Sequence, residues 1–239
     1  MQNVLIVLLT TFCFNLYAQN NNPIVQKKGT NVKAFLPNGW KIIYEVKGDL
    51  NKDNLTDYVM IIENTDRKNI IKNDGMGAKE LNVNPRMLLV LIKDKNGYTL
   101  AARNQKFIPT QNDTTSTCLA DPLAETGAIS IVKGTLILSY QYWLSCGSYG
   151  VTNNKYIFRF QDNKFKLIGF EGDSFSRSSG EENNISINFF TKKKSETSGG
   201  NMFDEKVNKP KTRWKNISWK ALLALDEMTE EATQKFWEI

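Results

Sequence analysis

One short segment carries oxygen atoms at regular offsets. In Asp49-Leu50-Asn51-Lys52-Asp53-Asn54-Leu55-Thr56-Asp57, side-chain oxygens fall at positions 1, 3, 5 and 9, and the Leu55 carbonyl falls at position 7. A hard divalent cation of calcium size takes about six to eight oxygen ligands, and this alternation brings Asp49, Asn51, Asp53, the Leu55 carbonyl and Asp57 around one point. Without a cation the carboxylates would repel one another. Calcium is therefore the expected cofactor, in a structural role. Gly48 and Asn54 tolerate the tight, partly left-handed path that such a loop needs. The same residue types also suit a metal-free turn between strands.

The loop departs from a helix-loop-helix calcium site. Position 6 is Asn54 rather than glycine, position 12 is Met60 rather than a bidentate glutamate, and the flanks 40–46 and 58–62 are strand-like. As a strand-loop-strand unit, residues 48–58 resemble the calcium loop of FG-GAP or VCBS-type repeats, found in integrin-like propellers and many secreted bacterial proteins. The resemblance implies Asp49, Asn51, Asp53 and Asp57 as side-chain ligands and Leu55 as a main-chain ligand. It covers this segment alone and occurs once, so a complete multi-blade propeller is not implied. The whole chain is also similar to a family of secreted bacterial proteins, through residues 48–53, Asn84-Pro85-Arg86, Gly147-Ser148-Tyr149 and Phe158-Arg159-Phe160. That likeness carries no particular activity.

Other chemistry is less marked. The chain has no histidine, so the commonest general base is missing, and no serine-nucleophile motif is visible. Carboxylates such as Asp121, Glu125, Asp173 and Glu181 leave a carbohydrate or peptide hydrolase with paired acids as the alternative to a binding module. Arg86 and Arg159 suit either an anion site or a carboxylate partner, the second being favoured because both lie beside apolar strand residues. The aromatic-rich stretch 141–150 suits sugar or peptide recognition as well as ordinary core filling.

Residues 1–18 read as a secretory signal peptide, with an apolar run ending in the small residue Ala18. The expected destination is the periplasm or the exterior of a bacterium. Processing removes Cys13 and leaves Cys118 and Cys146, which in an oxidising compartment read as a disulfide. No later stretch is long and apolar enough for a transmembrane helix. The net charge of +6 favours an anionic cell-envelope component or protein as partner, and no RNA-binding signature or DNA-reading helix points to nucleic acid.

The elements that must position these residues read as strands. Residues 40–46, 58–63, 87–93, 98–103, 129–132, 135–143, 155–161, 165–170 and 185–191 are short β-like runs divided by turn residues. Asn96-Gly97 predicts a hairpin with positive φ at both central positions, and Lys133-Gly134 and Asp162-Asn163 predict tight turns. Residues 19–239 are thus expected to form one mainly β domain, as an antiparallel meander, a sandwich or partial propeller-like sheets. A helical tail over about 218–237, capped by Ser218, would pack on the core, and Thr229 would start its second part. The polar stretches 66–85 and 196–211 read as loops, and Lys192-Lys193-Lys194 as a strand end with a solvated turn.

Overall fold

The computed structural model describes residues 23–124, 127–203 and 209–239. Residues 1–18, expected to be a signal peptide, and Glu125 lie outside the described residues. The protein is mainly β. The first half contributes β1 (Lys28–Gly29), β2 (Trp40–Gly48), β3 (Asp57–Asn64), β4 (Ile70–Lys72), β5 (Glu80–Asn82), β6 (Arg86–Asp94) and β7 (Gly97–Asn104). The second contributes β8 (Ile129–Val132), β9 (Thr135–Trp143), β10 (Gly150–Gln161), β11 (Lys164–Ser176), β12 (Glu181–Asn188), β13 (Lys193–Asn201) and β14 (Lys211–Asn216). All pairing is antiparallel, in a five-stranded sheet ordered β1-β7-β6-β3-β2, a seven-stranded sheet running from β14 through to β8, and the small β4-β5 pair. The large sheet is an unbroken meander, because each strand pairs with its neighbour in the chain.

Hydrophobic pattern decides which faces close. Tyr58-Val59-Met60-Ile61-Ile62 and Met87-Leu88-Leu89-Val90-Leu91 are continuous apolar runs, and both are buried on the two faces of the first sheet. Val59, Ile61, Leu88 and Val90 join the core shared with the large sheet. Their alternates Tyr58, Met60, Ile62, Met87, Leu89 and Leu91 pack under Val25, Phe35 and Trp40. The large sheet alternates instead, burying Leu136, Leu138 and Tyr140, then Tyr156 and Phe158, as a one-sided antiparallel sheet should.

Turn chemistry sets the register. Lys133 and Gly134 have φ of 50° and 77°, and Asp162 and Asn163 have φ of 52° and 55°, so both hairpins use turns whose twist matches the strands. The Asn96-Gly97 expectation is corrected. Gly97 pairs with Asp94 inside the ladder, leaving Lys95-Asn96 as the turn, and Asn96 is not left-handed. The Asp94 carboxylate accepts the Asn96 N–H at 2.7 Å and stabilises that alternative.

Several elements differ from the sequence expectation. Residues 66–85 contain the β4-β5 hairpin, and 196–211 runs through most of β13 to the start of β14. Every residue of β14 is exposed, so no alternation of apolar residues announced it. Lys194 is not solvated but fully buried. The tail is not helical from Ser218. Leu167 donates its N–H to the Leu223 carbonyl at 2.8 Å and Lys166 bridges Ala224, so strand-like bonding to β11 replaces helical bonding there. A short 3-10 turn, Leu225–Glu227, precedes helix α1 (Glu230–Glu238), whose N-cap Thr229 accepts the Ala232 N–H at 3.2 Å. α1 seats the fully buried Phe236 against Phe170 and Phe189, at ring distances of 5.2 and 5.0 Å.

Candidate metal centre

The oxygen-rich loop joins β2 to β3 at the end of their hairpin. Asp49 organises its turn: Oδ1 accepts the N–H groups of Lys52 (2.6 Å) and Asp53 (3.2 Å), and Oδ2 accepts that of Asn54 (3.0 Å). Lys52 and Asn54 are left-handed, with φ of 66° and 65°. Asn54 thus takes, at position 6, the sharp turn for which calcium loops use glycine. Asn51 donates to Asp53 Oδ2 at 2.9 Å and accepts the Asp53 N–H at 3.2 Å, while Asp53 Oδ1 accepts the Leu55 N–H at 2.8 Å.

Asp57 does something different from its neighbours. Its carboxylate is fully buried and accepts the Leu50 N–H at 2.7 Å and the Lys93 N–H at 2.8 Å. One side chain therefore closes the loop and fastens it to β6. Burial pushes its pKa up, the two N–H groups pull against that, and the nearby charges of Asp53 and Asp49 push it further. The loop also touches the large sheet: a Cβ added at Gly134 would stand 3.5 Å from the Asp49 carbonyl, and one at Gly48 would stand 2.9 Å from Ile131. It sits where the outer edge of β2 meets β8 and the β8-β9 turn.

The chain matches no protein-family model, no curated protein and no solved structure.

Donor chemistry is the test for a cation here. Asp49 Oδ1 already accepts two N–H groups, whereas Asp49 Oδ2 and both oxygens of Asp53 and of Asp57 accept one hydrogen bond each and keep a lone pair. The side chains nevertheless satisfy the loop's own backbone, and among the described residues no three acidic or cysteine side chains converge as a cation cage. A calcium set would thus need Asn51 and the Leu55 carbonyl as well as the acids. Leu55 itself is exposed, its side chain leaving the loop open to solvent.

The other candidates fall into separate places. Arg86 is buried and bound to Glu63 and Asp121, and Arg159 donates to Gln161 and lies over the Phe190 ring, so the two arginines do not form one anion site. Burial opposes the Arg86 charge, yet the bonds to Asp121 and Glu63 raise its pKa. Asp121 is committed to Arg86 and Asp173 accepts from Asn153 at 2.7 Å, while Glu181 is exposed at the start of β12. Those three carboxylates occupy separate networks. Cys118 and Cys146 form a disulfide.

In the aromatic stretch, Trp143 and Tyr149 flank the Arg177 guanidinium at 4.9 and 5.8 Å, with Arg177 also donating to the Leu144 and Ser148 carbonyls. Sequence reading missed Arg177, and it missed a pocket formed by Tyr142, Asn154, Glu230, Thr233, Gln234 and Trp237. No local motif announces either, because strand pairing and the docking of α1 assemble them from distant segments.

Proposed function

We propose that the protein is an exported calcium-binding β module, a binding or structural protein in which the cation stiffens the β2-β3 loop at the seam between the two sheets. The observation that carries this reading is the left-handed Asn54 held by Asp49 Oδ2, which gives the oxygen-rich loop the turn that calcium loops require. Asp49, Asn51, Asp53 and Asp57 supply side-chain oxygens and Leu55 supplies its carbonyl. The Cys118–Cys146 disulfide supports an oxidising compartment such as the periplasm or the cell exterior. The +6 charge supports an anionic envelope partner. The hydrolase reading has less support, since Asp121 is neutralised by Arg86 and Asp173 is bound to Asn153 in a separate network.

Thermal unfolding of the mature protein in EDTA and in millimolar calcium tests the proposal. Calcium at about 100 times its dissociation constant adds roughly 2.7 kcal/mol and raises the midpoint. Asp53→Ala, which removes an exposed side chain, leaves the midpoint in EDTA nearly unchanged and abolishes the rise. Asp57→Asn lowers the midpoint in both conditions, because the carboxylate ties Leu50 and Lys93 together with or without a cation. An unchanged midpoint on adding calcium refutes the reading and leaves the segment as a metal-free turn.

A further inference from the structure

A pocket of about 180 Å³ opens between α1 and the core side of the large sheet, bounded by Tyr142, Asn154, Glu230, Thr233, Gln234 and Trp237. Its shape is set by contacts outside it. A Cβ at Gly172 would come within 2.6 Å of the Trp237 ring, so glycine at that point of β11 lets the indole lie against the strand. Lys194 reaches from β13 to the Phe236 and Trp237 carbonyls, both at 3.3 Å, and holds the end of α1 in place.

The groups facing the pocket are unbalanced in one direction. Asn154 is 8 % exposed; its side chain hydrogen-bonds the Tyr156 phenol, while its amide oxygen is buried with no hydrogen-bond partner. A buried acceptor of that kind is ordinarily satisfied. Glu230 adds a carboxylate at the mouth, and Tyr142 and Trp237 add aromatic faces whose π-electrons attract cations. The Thr233 hydroxyl spends its proton on the Glu230 carbonyl at 2.7 Å. Among the described residues, no lysine or arginine lines the pocket. After burial and the neighbouring phenol of Tyr156, the charge of Glu230 further raises the pKa of Tyr142.

We infer that this pocket binds the protonated amine of a small organic ligand, the ammonium donating to Asn154 Oδ1 and the Glu230 carboxylate while its charge rests against the rings of Tyr142 and Trp237. A neutral ligand of the same shape can hydrogen-bond the carboxylate but brings no positive charge to it or to the π faces. The inference is independent of calcium, since pocket and loop share no residue.

Butylammonium chloride and its neutral isostere 1-butanol are the probes, titrated in EDTA into the ¹⁵N-labelled mature protein while the Trp237 indole N–H is followed by NMR. Butylammonium gives a saturable shift and butanol does not. Glu230→Gln removes the charge, and Gln234→Lys places a competing cation at the mouth. Both positions are exposed, so both variants fold, and each weakens butylammonium by about tenfold or more. Equal responses to amine and alcohol, no saturable shift, or wild-type affinity in both variants would overturn the assignment.

Discussion

The guanidinium of Arg86 meets the carboxylate of Asp121 in two parallel bonds of 2.7 Å, and its Nε donates to Glu63 at 2.8 Å. This fork ties β6 and β3 to the segment that follows Cys118. Arginine suits it because the planar group matches a carboxylate edge and keeps its charge when buried. Arg86→Met leaves Asp121 without its cation and Glu63 with Lys41 alone as cation, and lowers stability by about 3–5 kcal/mol in urea unfolding. A loss under about 1 kcal/mol would mean that water replaces the arginine freely.

Glu63 makes the same network pH-dependent. Burial pushes its pKa up, but the hydrogen bonds and charges of Arg86 and Lys41 outweigh that and hold it below the ordinary 4.5. Because the folded value lies below the unfolded one, its contribution is complete above pH 4.5 and is lost as pH falls through the lowered folded value. The urea midpoint should therefore drop as pH falls from about 5 toward 3. Glu63→Gln should be less stable at neutral pH and show a shallower drop; an unchanged slope would assign the acid sensitivity to other carboxylates.

The disulfide bridges residues 28 apart in sequence. In the loop-entropy model, closing a loop of that size limits the unfolded chain by about 3–4 kcal/mol. Replacing both Cys118 and Cys146 with alanine should lower unfolding free energy by that amount. A markedly smaller loss would show that the backbone bonds across this segment, Ala120 N–H to the Trp143 carbonyl and Ser145 N–H to the Cys118 carbonyl, already hold it in the unfolded ensemble.

Lys194 is a buried cation with a local purpose. Its Nζ serves the carbonyls of Phe236, Trp237 and Ile239 and pairs with Glu196 at 2.9 Å. Lys194→Met should cost about 1–3 kcal/mol, the usual range for unsatisfied buried acceptors. Hydrogen exchange gives the sharper readout: amides of α1 should lose protection while those of β10 and β11 keep theirs. Equal loss in both places would mean that the lysine supports the whole sheet rather than the helix.

Much of the fold was legible because its causes are local. Alternating apolar residues in β9 and β10 and continuous ones in β3 and β6 announce strands, and Lys133-Gly134 and Asp162-Asn163 announce their turns. The β4-β5 hairpin and β14 were hidden, since β4 and β14 bury nothing, β5 buries only Leu81, and all three are held by backbone pairing that composition does not reveal. Helical spacing of Leu222, Leu223, Leu225 and Met228 misled for the opposite reason: Asn104 donates to the Leu225 and Met228 carbonyls at 2.6 and 2.8 Å and β11 takes Leu223, so distant partners outbid local helical bonds.

The candidate loop divides along the same line. The sequence alone determined its oxygen spacing and the strands on either side, because five residues within one turn need no distant partner to be recognised. Tertiary structure decided that Asp57 is the buried staple to Lys93, that Asp49 lies beside the β8-β9 turn, and that Lys194 is a clamp instead of a solvated charge. It also brought Asn154 on β10 to Glu230 and Trp237 on α1. Each of those outcomes depends on which surfaces exclude water together, and that is settled only when the two sheets and α1 close on a common core.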